Sequence, residues 1–172
     1  MPMTASTDLR ERQLAMVVVD LARFTQAVAG LDLRGLASIV AAFYRTAADV
    51  VSQHGGRVVK FVGDGCLAVF EPDDVLQALE LTEVLRSRVR ALGAEHDLDL
   101  DLGANVHVST VAEGAFGLGG AYEIVGMGVI HVFRMGGGPG TRISEPVYRR
   151  LPSGRRSPWR KRQPPAIYTR EQ

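Results

Sequence analysis

One cysteine and one tryptophan occur in 172 residues, and aromatic side chains make up only 6%. A lone thiol, Cys66, cannot build a disulfide framework, so a packed core must hold the fold and a reducing compartment is expected. No stretch approaches the roughly 18 apolar residues that a membrane-spanning helix needs, and the N-terminal residues carry no apolar signal-peptide core. These absences point to a cytoplasmic protein. The four histidines are scattered and give no zinc-ligand spacing. Neither a nucleophile elbow nor a Walker-type glycine loop is present, which sets aside serine hydrolases and P-loop nucleotidases. The basic stretch from Arg149 to Arg170 has few interleaved aromatics, Trp159 and Tyr168, and no recognition motif. No nucleic-acid partner is therefore expected.

What remains is an ordinary globular composition, 46% hydrophobic with a formal charge of +1, long enough for one domain with a sizeable core. Residues 1–13 read as a flexible polar arm, and 14–172 as a single domain ending in a basic hairpin or tail. Leu14 to Val19 is a continuous valine-rich run, the pattern of a strand buried on both faces. Leu21 to Thr25 leads into a short helix whose first N–H groups would suit a phosphate. From Leu33 to His54, Leu36, Ile39, Val40, Phe43, Ala47 and Val50 recur at helical steps, and Gly55-Gly56 ends the helix. Glu71-Pro72-Asp73-Asp74 opens a second long helix. A strand is expected from His96 through Val111, a short strand near Tyr122 to Val125, a helix over Gly126 to Met135 and a strand at Arg142 to Ser144. Ser144 then caps a helical turn. Strands and helices so intermingled predict an α+β sandwich, a mostly antiparallel sheet with helices packed on one face.

The pattern centres on Arg57 to Phe70. Two β-rich runs flank Gly63-Asp64-Gly65, which reads as a hairpin with an Asp-Gly turn and Asp64 at its tip. Asp20 follows the run Leu14 to Val19 and would end a neighbouring strand. Two carboxylates at adjacent strand ends suit a hard cation such as Mg²⁺.

These pieces resemble the class III nucleotidyl (adenylate/guanylate) cyclase catalytic domain. The matching segments are Val17 to Thr25, His54 to Gly65, Tyr122 to Gly126 leading to Arg134, and Thr141 to Tyr148. The resemblance implies cyclisation of a nucleoside triphosphate to a 3′,5′-cyclic nucleotide with loss of pyrophosphate, using two Mg²⁺ or Mn²⁺ ions. It implies that Asp20, Asp64 and the Leu21 backbone hold the metals, and that Ala22, Arg23, Phe24 and Thr25 cradle the triphosphate. It further implies a homodimer with composite sites, in which the partner chain supplies Lys60 and Glu123 to read the base and Arg134 to stabilise the transferring phosphoryl group. One of Arg160, Lys161 and Arg162 would contact the triphosphate, and the sequence does not choose among them.

The chain departs from the family where an asparagine normally orients the ribose, since Ile130 stands there and can donate no hydrogen bond. Glu123 fits neither purine pattern. In these departures the chain is similar to the bacterial pyrimidine cyclases of Pycsar anti-phage systems, which make cCMP or cUMP for a separate effector. Phe43, Tyr44 and Phe133 are candidate walls of a smaller base pocket, and His131 is a candidate substitute for the missing asparagine. Adenylate cyclase activity and a catalytically silent nucleotide-binding domain are the other readings.

Overall fold

The computed structural model describes residues 9–162 and 166–170. The chain opens with β1 (Arg10–Ala22), α1 (Phe24–Ala27), α2 (Leu33–Gln53), β2 (Arg57–Val62), β3 (Gly65–Phe70) and α3 (Val75–Glu95). It continues with β4 (Asp101–Gly114), β5 (Glu123–Val125), α4 (Met127–Arg134), β6 (Gly140–Ser144), α5 (Glu145–Arg150), β7 (Trp159–Lys161) and β8 (Ile167–Arg170). The strands form one sheet in the order β2-β3-β1-β4-β6-β8-β7, with β5 also on β4. Its pairs are antiparallel except β4 with β6. Strands β2 and β7 are its two edges.

The valine-rich run of β1 is buried on both faces because it serves two layers. Ala15, Val17, Val19 and Leu21 pack beneath α2, α3 and α5. Leu14, Met16 and Val18 pack instead with Val132 and Met135 at α4. The helices are therefore not confined to one face as expected, since α4 covers the other side of the sheet. β1 also begins earlier than its apolar run. Arg10 to Gln13, expected in the N-terminal arm, form its exposed start paired to β4, and residues 1–8 lie outside the described residues. Arg12 fixes this end by bonding Glu71 at 2.7 Å and Glu113 at 3.3 Å.

Helix α2 begins at Asp32, whose carboxylate accepts the Gly35 N–H at 2.8 Å. It ends in a Schellman motif, with Gly56 N–H on Val51 O at 2.9 Å and Gly55 N–H on Ser52 O at 3.1 Å. Gly55 takes φ +78°, the left-handed conformation that the motif needs. Strand β4 starts at Asp101, not near His96. Leu98 N–H returns to Gly93 O at 2.9 Å, so the residues after α3 form a turn. Ser144 precedes α5 but makes no side-chain cap; its hydroxyl instead bonds His107 Nδ1 at 2.8 Å. Beneath the parallel β4–β6 pair, the buried Arg86 donates to Thr141 Oγ1 at 3.0 Å and Leu102 O at 3.4 Å. Among the described residues, no helix is long and apolar enough to cross a membrane.

Candidate active site

The hairpin β2–β3 turns on Gly63-Asp64, not on Asp64-Gly65, because Val62 pairs with Gly65. Gly63 takes φ +58°, the positive value that a type II′ turn requires at its first central position. Tyr44 of α2 buttresses this turn. Its hydroxyl donates to Gly63 O, and its ring stacks on Phe61 at 4.1 Å. Across the sheet, Asp20 pairs with Gly65 on one side and Gly103 on the other, so the end of β1 meets the turn. Leu21 N–H donates to Asp64 O at 3.1 Å and locks the two together.

Asp20 and Asp64 line two adjoining clefts. One, of about 400 Å³, is walled by Leu21, Ala22, Arg23, Phe24, Thr25 and Gly138. The other, of about 220 Å³, is walled by Val18, Val62, Gly103, Asn105, Phe133 and Gly136. The segment expected to cradle phosphate thus surrounds the first cleft. Helix α1 is a single turn entered through Arg23 at φ 63°, and Arg23 pairs with Asp99 at 2.7 Å. As at any helix start, Phe24 and Thr25 have no helical carbonyl for their N–H groups.

A side chain at position 103 would collide with the site. A Cβ there would lie 2.2 Å from Asp20 Oδ1 and 2.8 Å from Gly138 O, so the carboxylate leans over Gly103 toward the glycine loop. Arg142 of β6 steadies that loop by donating to Gly137 O, and to Gly138 O at 3.3 Å. Burial and then the negative charge of Asp64 raise the proton affinity of Asp20; Arg142 and a backbone hydrogen bond oppose them. Two carboxylates brought together at the ends of β1 and the hairpin turn form an acceptor-only set with surplus negative charge, which a hard divalent cation would balance. By contrast, burial pushes the Cys66 thiol up to about 12, which leaves it inert as a nucleophile.

No family model matches the chain. An adenylate cyclase of Streptomyces coelicolor is 36% identical over 78 residues, which cover 45% of this chain and 20% of that protein. The chain thus spans about a fifth of the length of this curated relative. The crystal structure of the adenylyl cyclase CyaB from P. aeruginosa superposes with a TM-score of 0.83 at 18% identity, over 96% of both chains. The fold is that of a class III cyclase catalytic domain. A monomeric guanylyl cyclase domain from the fungus Blastocladiella emersonii superposes with a TM-score of 0.80 at 16% identity, over 95% of this chain and 98% of that one. A dimeric crystal form of that fungal domain also matches.

Within this cyclase fold the remaining expected residues, Phe133 excepted, fall away from the two clefts. Lys60 Nζ meets Glu123 Oε2 at 2.6 Å, and Glu123 Oε1 accepts the Ile124 N–H at 3.0 Å. These two side chains form one unit, and neither lines the clefts of Asp20 and Asp64. Arg134 is exposed at the end of α4 and makes no ion pair among the described residues. Ile130 and Phe133 of the same helix are 45% and 43% exposed, and Phe133 alone of the two reaches a cleft wall. Phe43 is core. His131 packs against His107 with ring centroids 4.6 Å apart. In the tail, Arg160 bonds Trp159 O at 3.4 Å and Arg162 bonds Thr169 Oγ1 at 3.0 Å. With Lys161 they flank the β7 edge and do not line either cleft.

The sequence reading missed Gly103, Asn105 and Arg142. Their signal was the strand alternation that puts positions 103 and 105 on the face of Asp20, together with the glycines after Met135.

Proposed function

We propose that the protein is a nucleotidyl cyclase, in which the ribose 3′-oxygen attacks the α-phosphorus of a nucleoside triphosphate and displaces pyrophosphate. The observation that carries this reading is the convergence of Asp20 and Asp64 on a cleft walled by Leu21 to Thr25. Asp20, Asp64 and the Leu21 carbonyl would hold two Mg²⁺ or Mn²⁺ ions. When bound, these ions lower the pKa of the attacking hydroxyl and offset the phosphate charge. Residues Ala22 to Thr25 bind and orient the triphosphate.

The separation of the Lys60–Glu123 pair and Arg134 from the carboxylate clefts supports a homodimer. In that arrangement each site takes its carboxylates from one chain and its base-reading pair and Arg134 from the other. Arg134, always charged and exposed, is suited to the transferring phosphoryl group. One of Arg160, Lys161 and Arg162 would reach the triphosphate.

We further propose a pyrimidine substrate, CTP or UTP, whose cyclic product (cCMP or cUMP) a separate effector reads in anti-phage signalling. The support is Ile130, an exposed apolar side chain at the expected ribose contact, and Phe133 on the narrower cleft. Adenylate cyclase activity is the second reading, favoured by the Streptomyces relative. Incubation with ATP, GTP, CTP and UTP in Mn²⁺, with products resolved by mass, separates these readings. A cyclic pyrimidine nucleotide is expected. Cyclic AMP would overturn the base assignment, and no cyclic product from folded, dimeric protein would overturn the cyclase reading in favour of a silent nucleotide-binding domain.

A further inference from the structure

Asn105 sits on β4 opposite Val18 of β1, one alternation along from Gly103, which faces Asp20. It is therefore a diagonal neighbour of Asp20 on the same face of the sheet. It lines the cleft that holds both carboxylates and is 5% exposed. Its Nδ2 donates to Val132 O and to Gly136 O, both at 3.0 Å. Two carbonyls can be served only by the amino end of the amide, so the carboxamide cannot be flipped. Its Oδ1 is buried and has no hydrogen-bond partner among the described residues. Buried side-chain acceptors rarely stay unpaired, because nothing offsets their desolvation.

We propose that Asn105 is a further residue of the cation site, whose Oδ1 accepts an O–H group carried by the cation, either its own water or a substrate hydroxyl. The inference rests on the reading of Asp20 and Asp64 as cation ligands. A locked carboxamide oxygen takes a hydrogen-bond donor or a cation, and the carboxylates beside it supply no donor when ionised. A cation held by those carboxylates polarises the oxygens bound to it and makes them strong donors. Because Nδ2 is tied to the end of α4 and the loop that follows, the same side chain fixes the distance between the glycine wall and the carboxylates.

Mn²⁺ binding, followed by loss of the free-ion electron paramagnetic resonance signal, tests this without turnover. Asn105→Leu removes the donor pair and the acceptor together, whereas Asn105→Asp also gives up the amide donors but keeps an acceptor. The expected result is a Kd for Mn²⁺ raised about 10- to 100-fold in Asn105→Leu and near or below the wild-type value in Asn105→Asp. If the source is a substrate hydroxyl, the Leu variant instead loses affinity only for Mn²⁺ with a nucleoside triphosphate and not with its 3′-deoxy analogue. Equal loss in both variants, or no loss in either, would overturn the proposal. Should the variants not fold, the side-chain carbonyl carbon of Asn105 in the unaltered protein reads the same contact by NMR. A shift on saturation with Mg²⁺, alone or together with a nucleoside triphosphate, is expected, and a resonance unmoved under both conditions overturns the inference. Asp64→Asn separates the two levels. If it abolishes Mn²⁺ binding while Asn105→Leu leaves the Mn²⁺ affinity unchanged both with and without the triphosphate, the present inference alone falls; if it leaves binding intact, the reading of the carboxylates falls as well.

Discussion

Asp20 and Asp64 carry the most exposed prediction. Asp20→Asn or Asp64→Asn should lower cyclic nucleotide formation by roughly three orders of magnitude, as several kcal/mol of metal stabilisation implies at ~1.36 kcal/mol per tenfold. Quantifying product by mass under single-turnover conditions checks it. The pair was legible because a carboxylate after a buried strand and a carboxylate in a tight turn are both local signals. The partners of Asp20 were not legible, since Gly103, Asn105 and Arg142 reach it only through strand pairing across long separations. Tyr44 illustrates the same limit: the sequence offered it as a wall of the base pocket, and only the structure shows that it holds Gly63. His107 gives a second prediction at this scale. Burial, and then His131, push it down to about 4 from the usual 6.5. Between these values the unfolded chain binds a proton that the folded chain refuses, so this contribution is complete above pH 6.5 and is lost as pH falls toward 4. Allowing for its partial exposure, the loss is on the order of 2 kcal/mol. Urea unfolding of His107→Gln at pH 7.5 and 4.5 should show a correspondingly smaller acid-side loss than the parent.

Among the elements, β4 links most of the site, because it pairs with β1, β5 and β6. Gly103→Ala on this strand should abolish Mn²⁺ binding and destabilise the fold by about 1–3 kcal/mol, since the added Cβ meets Asp20 and the Gly138 carbonyl. Thermal melts with and without Mn²⁺ check both effects, and an unchanged metal-induced shift would contradict the geometry. The start of β4 was misread for an instructive reason. Leucine alternates with charge from His96 to Asp101, yet the backbone there must close α3, and Leu98 N–H does so at Gly93. Local turn formation outweighed the alternation. The placement of α4 was only half legible: a strand buried on both sides demands cover on both sides, but the sequence does not say which helix supplies it.

At the scale of the whole molecule, the Lys60–Glu123 pair and the carboxylate clefts are separate units of one chain, so activity should belong to the dimer. An Asp64→Ala protein mixed with a Lys60→Ala protein should regain one working site per mixed dimer, and therefore roughly a quarter of the parental activity if subunits exchange at random and sites act independently. A mixture no more active than its components, each shown folded and dimeric, would refute composite sites. The fold class was readable from the order of elements alone, whereas the proposed assembly rests on resemblance, because no local pattern encodes which surface meets a second copy. The basic C-terminal residues also have a meaning apart from any ligand. The open sheet ends in β2 and β7, and both edges present exposed cations, Arg57 on one, where Lys60 is paired with Glu123, and Arg160 and Lys161 on the other. Unpaired backbone along such edges invites a neighbouring molecule to add its own strand, and like charges hold it off. Colloidal stability is thus written into the sheet margins, and concentrated salt, by shortening the reach of that repulsion, should favour self-association.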